Sequence, residues 1–453
     1  MSSAPQHGRA GCRARVYLYE SYLKHLQLQQ HSGRFFGFPK SERSGNASCL
    51  EAPCRFDSFT TYNVRQYTSE VPIYRRIVSK CPLVSEPEKA DIFLVPFYFG
   101  YMMTLGWQVK RPGTPSEQRV EHRQMMNAAL ALHKSLPYLT NETAHKHVFL
   151  FTCDSQFVNL LLHDQLKKSM VVHLGDDGFN GNTHSSNYVQ QHDVHYMPRS
   201  IIVPYRVSQW MPFGFNRTAF VGRRRLLLSM NVNMDRHPVR RHVASSIRQA
   251  ATALNVSRDR FSLSPRMMGP EQAAQVALTS TFCLCPTGDS KGFTARFYFV
   301  LLHGCLPIRV DGYRRNASLA PPIFPFPRLI DWPRIMIDLA PDEAAGLLPR
   351  LLAMPQREIE ERQSYLRHVA HWLLFDDEEH AHHDAATALV HTLQSHVLGE
   401  DAADLAGEPP LLSTGPPPRS HLLHHSHGLP HAPLSHAHSA RIPTETSEPR
   451  APL

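Results

Sequence analysis

Short apolar runs alternating with helix-spaced stretches predict an α/β fold with mostly parallel sheets, arranged as two successive units. Three observations carry this. The runs are continuously apolar, as strands covered on both faces are, and do not alternate as half-exposed strands would. The alternation occurs twice, on either side of a loop at Phe213-Gly-Phe-Asn216. At 453 residues and 42% apolar, the chain can build sizeable cores, which excludes wholesale disorder and collagen-like or coiled-coil architectures. Two α/β units joined in this way suggest a ligand cleft between them.

The first unit, residues 12–215, opens with a strand at Val16 to Tyr19. Further strands are predicted at Ile92 to Val95, Val148 to Phe151, Met170 to His173 and Ile201 to Val203, each bounded by charge, Pro or Gly. Val120 to Leu136 and Ser155 to Lys168 carry apolar residues at helical spacing. The second unit, residues 216–396, reads as a strand at Arg225 to Ser229, a helix from Pro238 to Leu254 and a strand at Phe282 to Cys285. A helix from Ala295 to His303, a strand at Leu306 to Val310 and a strongly helical stretch from Asp342 to Leu393 follow. Residues 397–453 turn to Pro, His, Ser and Ala and are expected to be a disordered tail. Its seven histidines between His421 and His438 lack acidic or cysteine partners at fixed spacing, so no metal site is read there.

The formal charge of +9 comes from 48 Lys plus Arg against 39 Asp plus Glu. Without a clustered basic face or an aromatic stacking motif it implies no nucleic-acid partner. The eight cysteines show no paired zinc-finger spacing, so zinc is not expected. Five sequons, at Asn46, Asn141, Asn216, Asn255 and Asn316, favour a luminal, glycan-accepting surface. The first residues are polar, with no apolar core of a signal peptide. The longest apolar stretch, Ile92 to Trp107, falls short of the ~20 residues that span a bilayer. Either the chain is soluble without a signal, or a membrane anchor lies upstream of residue 1.

The most informative stretch is Phe282-Cys-Leu-Cys-Pro-Thr-Gly-Asp-Ser-Lys-Gly-Phe-Thr-Ala-Arg296, followed by an apolar helix and the strand that ends at Asp311. A Gly- and Ser-containing loop entering a helix presents unpaired backbone N–H groups and the positive end of the helix dipole, which suits an anion. Gly288, Ser290, Lys291, Thr294 and Arg296 are therefore candidate phosphate-binding residues, and Asp311 a candidate acceptor for a sugar hydroxyl. The competing reading is a tight turn with a surface lysine and a salt-bridged arginine.

These residues resemble the exostosin-like glycosyltransferases, glycosyltransferase family 47, over most of residues 15–395. Arg15-Val-Tyr-Leu-Tyr-Glu20 is similar to the family's opening strand, Gln66-Tyr-Thr-Ser-Glu70 to the segment before its helix, and Ala90-Asp-Ile-Phe-Leu-Val-Pro-Phe-Tyr98 to its second strand. His192-Asp-Val194 with Ile201-Ile-Val-Pro204 resembles the close of the first domain. Phe282-Cys-Leu-Cys-Pro-x-Gly, Thr294-x-Arg296, Gly304-Cys-Leu-Pro-Ile308 and Leu329-Ile-Asp-Trp332 resemble the donor domain. The resemblance implies a GT-B architecture of two Rossmann-like domains facing a central cleft, the acceptor side N-terminal and the nucleotide sugar held mainly by the C-terminal domain. It implies an inverting transfer from a nucleotide-diphosphate sugar, a UDP-sugar foremost, to a glycan or glycoprotein in the Golgi. Lys291 and Arg296 would neutralise the leaving diphosphate, and no metal or other cofactor is required. A homo- or hetero-dimer is compatible with it.

Two departures stand out. Relatives usually carry an acidic residue three positions after the arginine matching Arg296, and this chain has Phe299. Before the strand at Val148, a Trp-x-Arg and Asp-His pattern is reduced to Pro137-Tyr138 and His147. For the base that deprotonates the acceptor, Asp154, His173, Asp176 and Asp177 follow strand ends, and Asp176 and Asp177 beside glycines are the candidates. The alternative reading, motivated by Phe299, is a non-catalytic exostosin-fold partner that binds glycans or assembles with an enzyme.

Overall fold

The structure, a computed structural model, describes residues 11–19, 69–95, 136–152, 168–174, 199–207, 222–235, 237–286, 294–311, 324–375 and 383–400. The helices expected at Val120 to Leu136 and Ser155 to Lys168 lie outside these but for their last residues, as does everything beyond residue 400. The chain divides into Met1–Pro409 and Pro410–Leu453, and only the first contains described residues. No described helix is long and apolar enough to cross a membrane.

Six parallel strands form the first sheet: β1 (Val16–Leu18), β2 (Leu83–Val84), β3 (Ile92–Val95), β4 (His147–Phe151), β5 (Met170–His173) and β6 (Ser200–Ile202), in the order β2-β1-β3-β4-β5-β6. β3, β4 and β5 are buried along their whole length, because layers cover both faces of a central parallel strand. The edge strand β2 is half-buried to exposed and only two residues long, which is why its sequence gives no apolar run. Helix α1 (Glu70–Lys80) turns Ile73, Tyr74 and Ile77 onto the aliphatic face made by Val16, Ile92, Leu94, Val148 and Leu150. On the other face the rings of Phe93 and His147, cross-strand neighbours, stack at 4.6 Å.

The second sheet is also wholly parallel: β7 (Leu226–Asn231), β8 (Phe261–Ser264), β9 (Ser280–Pro286), β10 (Leu306–Val310) and β11 (Ile337–Leu339), in the order β11-β10-β9-β7-β8. The chain builds from β7 outward to β8 by way of α2 (Pro238–Ala253). It then returns through α3 (Pro270–Thr279) to lay β9 on the other side of β7. That reversal makes the junction of β7 and β9 a topological switch point, where helices leave the sheet in opposite senses and a crevice opens beyond the strand ends.

Helix α4 (Ala295–Leu302) follows β9 and is nearly all apolar. A helix buried on every side needs no polar face, and Ala295 and Phe297 through Leu302 are all buried. Each large side chain among them contributes about 1.5–3 kcal/mol. A disulfide between Cys283 in β9 and Cys305 before β10 closes the crossover around α4. A second, Cys12–Cys81, ties the residues before β1 to the end of α1. Closed loops of 22 and 69 residues correspond to roughly 3–4 kcal/mol each in a chain-entropy account.

The stretch expected to be helical from Asp342 resolves into α5 (Ala344–Ala353), α6 (Gln356–Val369), a 3-10 turn at Ala370–Leu373 and α7 (Ala385–Leu398). Pro355, at the N-cap of α6, separates the first two. α7 packs against α1 of the first sheet. There the Gln394 side chain accepts from the backbone N–H of Arg13 at 2.5 Å, and Arg76 pairs with Asp384 at 3.1 Å in a buried contact.

Candidate functional site

At the exit of β7 the chain turns through Asn231 to Asp235. Buried Asn231 accepts from the Met268 N–H at 2.9 Å, and the Asn233 side chain accepts from the Asp235 N–H at 3.0 Å. His237 then caps α2, its Nδ1 accepting from Val239 N–H at 3.3 Å, with Pro238 at the first helical position, where no N–H is needed. Arg240, in the first turn, folds back and donates from Nη1 to the Asn233 carbonyl at 2.8 Å. The start of α2 thus carries a guanidinium fixed over the β7 exit.

At the exit of the neighbouring β9 stand Cys285 and Pro286, and α4 begins after Thr294. Thr294 occupies the N-cap with extended backbone, and its side chain does not cap the helix. Of the first-turn N–H groups of α4, that of Phe297 donates to the Thr294 carbonyl at 2.9 Å, and those of Ala295 and Arg296 keep their capacity for an external acceptor. Arg296, the second residue of α4, is the one residue of this helix that is not buried outright. Its side chain is half-buried and its Nε is enclosed without a hydrogen-bond partner.

Burial pushes the Arg296 guanidinium below its ordinary range, the Cys285 sulfur partly offsets this, and Arg240 adds to the lowering by like-charge repulsion. The Cys285 thiol, itself buried, is pushed up to about 12 by desolvation despite Arg296, so it remains protonated and unreactive. No carboxylate pairs with Arg296 among the described residues. Two guanidinium groups from two helix starts are therefore near enough at the switch point to repel each other. Such a site attracts an anion with two or more negative oxygens.

Asp311 stands at the exit of β10 and has a different setting. Its carboxylate accepts from Arg309 Nη2 at 3.0 Å, while Arg309 Nε donates to Asp338 at 2.8 Å. Arg309 is fully buried, Asp338 is its cross-strand neighbour on β11, and the guanidinium lies 5.9 Å from the Phe324 ring centre. The structure thus gives Asp311 a structural duty beside the one expected of it. Phe299 lies one turn beyond Arg296 with its ring enclosed against His303 at 4.3 Å, and His303 Nδ1 donates to the Phe299 carbonyl at 2.7 Å. Arg224 supports the far end of α4 by donating to the carbonyls of Ala277, Ser280 and His303.

Gly288, Ser290 and Lys291 lie outside the described residues, as do Asp154, Asp176 and Asp177. On the first sheet the strand exits are described at Thr152 and His173, both buried. Glu70, buried at the start of α1, accepts from the Thr152 N–H at 3.2 Å, and the Ser69 hydroxyl donates to the Pro204 carbonyl at 3.3 Å. These bonds join α1 to the exits of β4 and β6. Tyr205, just past β6, meets Tyr298 of α4 at 5.9 Å, so the two strand-exit regions touch there. Among the described residues no group of three or more His, Cys, Asp or Glu is arranged to hold a metal ion.

Sequence reasoning found Arg296 through its motif and missed Arg240. Nothing local marks Arg240, and its approach to Arg296 follows only from β7 lying beside β9.

Comparison with known proteins agrees with the region this site occupies. Residues 11–352 match the family profile described as the Exostosin GT47 domain. A protein of Arabidopsis thaliana named "Probable glucuronoxylan glucuronosyltransferase" is 22% identical over 286 residues, covering 62% of this chain and 56% of that protein. The chain thus spans just over half the length of this curated relative. Among solved structures, an α,α-trehalose-phosphate synthase (UDP-forming) from Burkholderia vietnamiensis overlaps 68% of this chain and 80% of its own at TM-score 0.31 and 11% identity. A UDP-GlcNAc 2-epimerase of Methanocaldococcus jannaschii, in complex with UDP-GlcNAc and UDP, overlaps 64% and 91% at TM-score 0.27 and 11% identity. Overlaps this shallow say nothing of the site.

Proposed function

The chain belongs to the Exostosin GT47 domain family, glycosyltransferase family 47, and from that premise we propose that it transfers a sugar from a nucleotide-diphosphate sugar to a glycan or glycoprotein, inverting the anomeric centre. The observation that carries the reading is Arg296, a half-buried guanidinium without a carboxylate, set at a helix start beside Arg240. The donor is a UDP-sugar, a choice supported by the glucuronosyltransferase name of the plant relative.

In the reaction the acceptor hydroxyl oxygen bonds to the anomeric carbon. The bond from that carbon to the diphosphate oxygen breaks, and its electron pair leaves on the nucleoside diphosphate. Arg296, Arg240 and the first-turn amides of α4 offset the charge that grows on the diphosphate, and Gly288, Ser290 and Lys291, candidates from the sequence, would add to them. A base on the first sheet takes the hydroxyl proton, Asp176 or Asp177 in this reading. Neither the arginines nor the amides must be brought in at the moment of reaction, which is what makes such stabilisation effective.

The reaction is placed in the Golgi lumen, supported by two disulfides, which persist in oxidising compartments, and by the five sequons. A second reading, a non-catalytic partner, is favoured by Phe299, an enclosed apolar ring where relatives carry an acid. Calorimetry with UDP and turnover across a panel of UDP- and GDP-sugars separates the two. Transferase activity abolished by Arg296→Ala supports the enzyme. Nucleotide binding without turnover favours the partner, and the absence of both overturns the donor site itself.

A further inference from the structure

We propose that Asn255 is an N-glycosylation site, and Asn141 a second one, each at the strand-entry end of its own sheet, opposite that sheet's strand exits. The sequence offers five sequons of equal standing, and the structure describes the acceptor asparagine in these two.

Asn255 follows α2. The Asn255 N–H donates to the Thr252 carbonyl at 3.2 Å, and the Val256 N–H reaches back to the Ala251 carbonyl at 2.9 Å. These paired bonds end the helix in a Schellman turn, with Asn255 in the left-handed position at φ 51°. Asparagine tolerates that conformation better than other residues bearing a side chain, so helix termination alone would explain its presence. Termination uses only the backbone, however. The Asn255 side chain is exposed and makes no hydrogen bond; Ser257, which completes the sequon, is exposed too, its hydroxyl donating to the Asp259 carboxylate. The amide is thus displayed to solvent with the sequon's hydroxyl two residues on at the surface.

Asn141 is exposed as well. Its Oδ1 accepts from Lys168 Nζ at 2.9 Å, which leaves Nδ2, the atom that would carry the sugar, unengaged. In the transfer Nδ2 bonds to the anomeric carbon of a lipid-diphosphate-linked oligosaccharide. The bond from that carbon to the diphosphate oxygen breaks with its electron pair on the leaving lipid diphosphate, and the amide loses one proton. The contact with Lys168 survives the modification.

Topology decides where the glycans would stand. Every strand in both sheets is parallel, so strand entries lie along one edge and exits along the other. Asn255 precedes β8 and Asn141 precedes β4, on the entry edges. Arg296 and Arg240 follow β9 and β7, at the exits. A glycan on Asn255 also stands next to β8, half-buried and the last strand of the second sheet among the described residues. Open edges invite pairing with other chains, and a bulky hydrophilic chain beside one hinders it.

The proposal rests on the luminal reading, and the experiment separates the two. The full chain is secreted from eukaryotic cells behind a cleavable leader, deglycosylated with an amidase in heavy-oxygen water and mapped by mass spectrometry. The expected result is labelled aspartate at 255 and 141, one gel step lost in N255Q, two in the double variant, and unchanged donor turnover with faster aggregation in N255Q. An unmodified Asn255 in the secreted, folded protein overturns the site. Chain from its own cells that is unmodified at residues the secreted form carries glycan on overturns the luminal placement, and with it the modification of the native protein.

Discussion

Arg309 and Arg296 stand near the exits of neighbouring strands of one sheet, and their surroundings are opposite. Arg309 is wholly buried between Asp311 and Asp338, with bonds of 3.0 and 2.8 Å. Among the described residues Arg296 has no carboxylate, an enclosed Nε without a partner, and Arg240 as a like-charged neighbour. A buried charge is tolerated in a stable fold only when something offsets its desolvation. At Arg309 the offset is built into the chain. At Arg296 the described residues supply none, and the proposed donor site assigns it to a ligand; that difference would separate a structural arginine from a binding one when both are invisible as such in composition.

The comparison breaks most readily at Arg309. Replacing it by Ala strands two carboxylates and is expected to destabilise the fold by about 3–5 kcal/mol, read by urea denaturation. A loss comparable to a surface substitution would mean the pair is not what holds this corner. Arg296→Ala should do the reverse: denaturation midpoints unchanged or higher, and kcat/KM lower by about 10²–10³-fold.

A third prediction concerns buried charge that is avoided altogether. His391 of α7, packed 6.3 Å from the Trp372 ring, has its pKa pushed down to about 4 by burial first and then by His383. It is neutral in the fold, whereas the unfolded chain takes up a proton below about pH 6.5. Stability is therefore fully present above about pH 6.5 and falls as the pH drops towards about 4, by on the order of 3 kcal/mol. His391→Leu should flatten that slope in denaturation series, and an unchanged slope assigns it to other groups. The smallest effect is expected at Arg240, whose guanidinium is already tied to the Asn233 carbonyl. Arg240→Ala should lower kcat/KM about tenfold, and a loss as large as that of Arg296→Ala would reverse their ranking.

What could be read in the sequence follows burial. β3, β5 and β10 lie where Ile92 to Val95, Met170 to His173 and Leu306 to Val310 were expected, because strands covered on both faces need an unbroken apolar run. β8 escaped notice because Phe-Ser-Leu-Ser at an open edge is half-buried throughout and reads as loop. β11 and β2 are short and partly exposed for the same reason. The disulfides were hidden because Cys12 and Cys81, or Cys283 and Cys305, become neighbours only once the sheets form. Arg296 was legible from its motif, but its lack of a counter-ion was not, since that depends on where Asp311 and Asp338 turn, which is toward Arg309.

The most direct test of the contrast is UDP binding followed by calorimetry and thermal shift on wild type and Arg296→Met. Methionine keeps most of the length of the side chain while removing its charge. The account predicts that UDP binds and stabilises the wild type, that the variant loses most of this response, and that its ligand-free form unfolds at the same temperature or higher. A variant that binds UDP as tightly as wild type, or that unfolds as early as Arg309→Ala, would place Arg296 among the structural arginines and contradict the donor site.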